Sequence, residues 1–143
     1  MKRTAKTTST LSCPSITSIG PDAHVFGVVT GSAAEGLQVG YLTEALPVTP
    51  ELLAAVAPAK PTEVFRAVAP CSERACKHFD GANCQLAARI TAMLDPVVSA
   101  LPRCAIRPTC RWFRQEGRAA CLRCPQVTTE QRNPNELDRA VAG

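Results

Sequence analysis

Seven of the eight cysteines in this 143-residue chain fall between Cys71 and Cys124. Thiolates at that density can bind a metal ion, hold an iron–sulfur cluster or pair as disulfides. The spacing is Cys71-x4-Cys76-x7-Cys84, then Cys104-x5-Cys110-x10-Cys121-x2-Cys124. The second group is the sharper signal. Cys104, Cys110, Cys121 and Cys124 lie close enough in sequence to close around one tetrahedral ion or one cubane, using a short loop and a terminal C-x2-C chelate.

Zinc ribbons and knuckles typically carry two paired C-x2–4-C elements, whereas this chain has one C-x2-C and several longer gaps. The irregular spacing favours a cluster. Cys124 is followed by Pro125, a dipeptide that resembles the Cys-Pro of bacterial ferredoxins, where proline ends helix continuation beside a cluster-binding sulfur. The resemblance covers that dipeptide alone. Trp112, Phe113 and Leu122 are candidates for an apolar shell controlling solvent access, with Trp112 and Phe113 equally suited to anchoring a small core.

The first group supplies three cysteines and needs a fourth ligand. His78 is the nearest candidate, giving a Cys71/Cys76/His78/Cys84 metal set, although a single residue separates Cys76 from His78 and makes joint ligation awkward. A hydrogen bond to Asp80 or plain solvent exposure is the preferred reading of His78. Cys84, expected at a helix N-terminus, would have its thiolate stabilised by free N–H groups. One tetrad could also draw on both groups, for instance by adding Cys104 to the triplet. Cys13, in the N-terminal segment, reads as a bystander.

Charge follows the cysteines. Residues 1–70 hold five Lys/Arg and five Asp/Glu, residues 71–124 nine against four, and residues 125–143 two against three. A basic cluster can mark phosphate binding. Compensation is the preferred reading, because four thiolates on zinc or on an oxidised cubane carry a formal charge of about −2, which neighbouring arginines would offset.

Motifs for nucleotide binding, zinc-protease and serine-hydrolase chemistry are absent: there is no G-x-x-x-x-G-K-[ST], G-x-G-x-x-G, H-E-x-x-H or G-x-S-x-G. His24 and His78 are the only histidines, and the carboxylates show no acid–base pairing pattern. Intrinsic catalysis is therefore not the expected role. Expected instead is an iron–sulfur protein, with a four-iron cluster on Cys104, Cys110, Cys121 and Cys124, acting in electron transfer, redox sensing or as an accessory to a protein partner. The alternative is a zinc-stabilised module that binds protein or, less favoured, nucleic acid. A disulfide-stapled exported protein ranks third, since the N-terminus lacks the apolar run of a signal peptide; a cytoplasmic location without membrane association is expected.

The elements that must position these residues are short. The composition is 45% hydrophobic, but 22 of those residues are alanine and 8 are cysteine, so the bulky core supply is thin and metal is expected to staple it. Residues 1–22, rich in Ser and Thr, read as a disordered leader. Residues 23–70 should form a β-hairpin, with strands near 24–30 and 37–43, followed by short helices: one capped by Thr49 with Pro50 at its first position, and one leaning helical over residues 62–66. Residues 71–125 form the cysteine-rich module, whose clearest helix runs from Cys84 to Leu94 with Asn83 as N-cap. Residues 126–143 read as a flexible tail, with Leu137 and Val141 marking at most a frayed turn. The fold class is thus α+β: a small N-terminal hairpin with short helices, then a metal-organised helical module that should unfold before the hairpin when metal is lost.

Overall fold

A computed structural model describes residues 11–32, 36–131 and 133–143. It combines a four-stranded antiparallel sheet with several short helices, an α+β arrangement as the sequence implied. The strands are β1 (Ser12–Cys13), β2 (His24–Ser32), β3 (Gly36–Pro47) and β4 (Phe65–Pro70), in spatial order β1-β4-β2-β3. The β-branched run of β2 pairs with the alternating residues of β3, from His24↔Pro47 to Ser32↔Gly36, so the expected hairpin forms. Its turn lies outside the described residues. Gly27 is needed where the two strands approach, since a Cβ there would meet Val39 at 2.6 Å. Next to it Phe26 is the extra residue of a bulge, between the registered pairs Val25↔Ala67 and Gly27↔Arg66.

Helix α1 (Pro50–Ala54) begins as the sequence indicated, with the Thr49 hydroxyl accepting from the Leu52 N–H at 3.1 Å. The ambiguous stretch after Pro61 resolves into both candidate states: α2 (Pro61–Val64) passes directly into β4. Its β-branched and aromatic residues take the strand, because β4 is covered on both sides by β1 and β2 and buries Phe65, Arg66, Ala67 and Val68. Four more helices follow: α3 (Gln85–Met93), α4 (Arg111–Glu116), α5 (Arg118–Arg123) and α6 (Glu136–Ala142). Helix α3 starts one residue later than expected, with Cys84 in place of Asn83 as its N-cap and no side-chain cap bond.

Two ends of the expected organisation are corrected. The leader is not structureless throughout: Ser12 and Cys13 pair with Pro70 and Ala69, and the Cys71 N–H donates to the Leu11 carbonyl at 3.0 Å. A two-residue strand carries no periodicity, so only its partner reveals it. Nor is the tail free. Helix α6 carries a capping box, Asn135 with Asp138, and buries Val141, whose carbonyl accepts from Arg89 of α3 at 2.7 Å. One apolar cluster joins the layers, with Phe26 and Val68 from the sheet and Ile90, Ile106, Trp112 and Val141 from the helical side.

Candidate metal centre

Cys104, Cys110, Cys121 and Cys124 all line one pocket, which encloses about 350 Å³ with its mouth included. Its remaining walls are almost wholly apolar, with Phe26, Tyr41, Ile106, Trp112 and Phe113 among them. Local structure explains the convergence. Cys104 opens a turn leading into a short 3-10 segment (Arg107–Thr109), Cys110 is the N-cap of α4, Cys121 sits in α5, and Cys124 is the C-cap of α5. Pro125 enters a second 3-10 turn, so the chain leaves the helix at the last cysteine.

Backbone N–H groups point at several of these sulfurs: Ile106 bonds Cys104, and Phe113 and Trp112 bond Cys110. Such donors favour thiolates, but burial outweighs them, pushing the Cys110 thiol up to about 12 and raising Cys104 as well. As free thiols these groups would remain protonated. Thiolate at such a depth requires a cation.

One cation is already there, and the sequence reading missed it. Arg66, on β4, is 0% exposed. Its guanidinium has five N–H donors, and five acceptor contacts use them. Nε and Nη2 donate to the Pro14 carbonyl at 3.0 and 2.9 Å, and Nη1 donates to the Cys124 and Val127 carbonyls at 3.2 and 2.7 Å. The last contact is Nη2 to the Cys124 sulfur at 3.4 Å. The group also faces the Phe26 and Trp112 rings, each centroid 5.3 Å away. Among the described residues no carboxylate pairs with it. Burial alone would lower its pKa, yet the nearby Cys124 and Tyr41 reverse the direction. Tyr41, whose own hydroxyl is held protonated by burial, lines the same pocket beside that sulfur.

Cys71, Cys76 and Cys84 also share a concavity, a broader groove of about 1900 Å³ on the same measure. His78 lines it too, but its Nδ1 lies 2.9 Å from the Arg89 guanidinium, which can only donate, so that nitrogen is an acceptor already in use. Burial, then the charges of Arg89 and Lys77, lower the His78 pKa. The hydrogen bond weighed for it with Asp80 is not the one formed: Asp80 instead accepts from the Ala82 and Asn83 N–H groups at 3.0 and 2.8 Å, fixing the turn before Cys84. Cys13, taken from sequence as a bystander, lines the groove with the triplet.

Helix α4 serves both concavities. Arg111, 7% exposed, donates Nε to the Cys71 sulfur at 3.1 Å and Nη2 to Glu73 at 2.7 Å. Trp112 lines both. Gln115 clamps the Cys84 backbone, accepting from its N–H at 2.7 Å and donating to its carbonyl at 2.8 Å. Of the basic residues near the cysteines, Arg89, Arg107, Arg118 and Arg123 donate to main-chain carbonyls. Among the described residues no three His, Cys, Asp or Glu side chains are arranged to hold a single metal ion. Zinc bonds of about 2.3 Å would draw tetrahedral thiolates to about 3.8 Å of each other, whereas a four-iron cluster spreads its ligands around a larger body.

No helix among the described residues is long and apolar enough to cross a membrane. No protein-family model, curated protein or solved structure matches this chain.

Proposed function

We propose that this protein is an iron–sulfur protein that handles electrons for a protein partner, with a four-iron cluster held by Cys104, Cys110, Cys121 and Cys124. The observation that carries the reading is Arg66. A guanidinium stays charged at any physiological pH, and a fully buried cation without an anion is strongly unfavourable. Its five donors are spent on main-chain carbonyls and one cysteine sulfur, with no carboxylate among them. Four thiolates around an oxidised cubane carry a net negative charge that this cation would partly offset. Neutral thiols do not.

The surroundings suit the role. Phe26, Trp112, Phe113 and Ile106 would keep water from the cluster, and the Arg66 bond to Cys124, with the Tyr41 hydroxyl nearby, would stabilise its more reduced state. When bound, such a cluster supplies one-electron chemistry. Arg89, Arg111 and Arg123, three of the arginines expected to compensate charge, are tied to internal carbonyls or sulfur and so are withdrawn from any basic face, which favours a protein partner over nucleic acid.

The test is anaerobic purification followed by a visible spectrum and assays of iron, acid-labile sulfide and zinc per chain. Brown protein with matched iron and sulfide is expected, and Cys124→Ala should abolish the share bound at this pocket. A colourless protein with stoichiometric zinc would replace this reading with a zinc-stabilised interaction module.

A further inference from the structure

Taking the iron–sulfur reading as its premise, the geometry points to a second cluster site in the same chain, ligated by Cys13, Cys71, Cys76 and Cys84. We propose that β1 exists to deliver its fourth ligand. Strand β1 lies against β4 with Cys13 opposite Ala69, and Cys71 follows β4 directly, its N–H bonded to Leu11. Cys76 and Cys84 return to the same groove through the turn in which Phe79 pairs with Cys84. Cys71, Cys84 and Cys76 all stand near enough for their charges to bear on Cys13.

The groove repeats the devices of the apolar pocket. A buried arginine donates to one sulfur in each, Arg66 to Cys124 and Arg111 to Cys71. Main-chain N–H groups approach the others: Ser15 to Cys13, His78 to Cys76 at 3.4 Å, Ala87 and Leu86 to Cys84. A proline follows the first cysteine of this set, Cys13-Pro14, as it follows the last of the other, Cys124-Pro125. Glu73, between Cys71 and Cys76, adopts a left-handed φ of 48°, a conformation that disfavours non-glycine residues and is held by its bond to Arg111. On loading, four thiols release four protons and their sulfurs bind a core assembled from two ferrous, two ferric and four sulfide ions, so that a core charge of about +2 with four thiolates gives the same net charge as at the first site.

The two sites are neighbours. Ser12 forms a parallel bridge with Cys110, so Cys13 of one set lies one residue from a backbone contact with the other, and Trp112 lines both concavities. Two clusters at such spacing form a relay, as in two-cluster ferredoxins.

The experiment compares wild type with Cys13→Ala after anaerobic reconstitution with equal amounts of ferrous and ferric iron and with sulfide. Wild type should bind about eight iron and eight sulfide per chain and the variant about four, two four-iron clusters against one. Electron paramagnetic resonance of the dithionite-reduced wild type, which does not depend on any variant folding, should show a spectrum broadened by coupling between two spins. In Cys13→Ala it should simplify to that of one cluster. Wild type saturating at one cluster with an uncoupled signal would overturn the second site while leaving the first reading intact. Zinc instead of iron in the groove would overturn it equally. Absence of iron and sulfide from the wild type would overturn both.

Discussion

The two cysteine quartets differ in how they are built. Cys104, Cys110, Cys121 and Cys124 come from one stretch of twenty-one residues and face an apolar pocket of about 350 Å³. Cys13, Cys71, Cys76 and Cys84 are gathered from the first strand to the start of α3 and face a groove of about 1900 Å³ rimmed by Ser, Thr, Lys and His side chains. Their cations differ likewise. Arg66 is sealed in and speaks only to carbonyls and sulfur, while Arg111 also holds a half-exposed carboxylate, Glu73. The two concavities are about equally open, so the difference lies in their walls: an apolar lining makes the first site dependent on its internal charge balance, and a polar lining gathered from distant segments makes the second dependent on the chain that brings them together. In redox terms, the wetter site should be the easier to strip and the drier one the more sensitive to each hydrogen bond at sulfur.

The largest effect is expected from Arg66→Met. Removing the guanidinium leaves the carbonyls of Pro14, Cys124 and Val127 without their donor and the pocket without its cation. Loss of one partner from a buried charged network costs about 3–5 kcal/mol, so thermal melting of the holo protein should shift down by many degrees and the iron of this pocket should be lost. Unchanged melting and iron content would remove Arg66 as counter-ion and, with it, the contrast between the sites. Arg66→Lys should not rescue, since an ammonium offers three donors where five are used.

Metal removal sharpens the same contrast. Treated with a ferrous chelator under anaerobic conditions, the protein should release iron in two phases, the groove emptying about tenfold or more faster because its polar walls carry water and chelator to the metal. The slow phase alone should remain in Cys13→Ala. Complete removal should release the amides of α4 and α5 to hydrogen exchange before those of β2 and β3, whose ladder includes no cysteine. A single phase, or simultaneous loss of protection, would argue that the sites are equivalent.

The smallest effect tunes one site and spares the other. Tyr41→Phe removes the hydroxyl dipole that stands in the pocket with the Cys124 sulfur. That dipole favours the more negative, reduced state, so the pocket's reduction potential should fall by some tens of millivolts, about 59 mV corresponding to a tenfold change for a one-electron couple. The groove potential should not move. Protein-film voltammetry of both couples would show this, and an equal shift in both would dissolve the distinction.

Much of the architecture was legible because it is local. The alternation Leu37, Val39, Tyr41 gave the strand, Thr49-Pro50 gave the helix start, and Leu86, Ile90 and Leu94 gave α3. The compact quartet was legible because its members are close in sequence, and they line one pocket. Cys13 was not, since fifty-seven intervening residues separate it from Cys71 and only the pairing of β1 with β4 removes that distance. A signal for it existed in the repeated Cys-Pro dipeptide. For Arg66 there was none: an arginine inside a β-branched strand looks like an exposed face until the strand is found buried between two others.

The amino-acid sequence by itself determined the supply of thiols and their spacing, the shortage of bulky core residues and the absence of known catalytic motifs, because these follow from residue type and short spacing. Only the tertiary structure decided which sulfurs share a concavity and which arginines turn inward to meet them. Those outcomes depend on long-range strand pairing and on where a charge escapes water, and neither quantity is local to any segment of the chain.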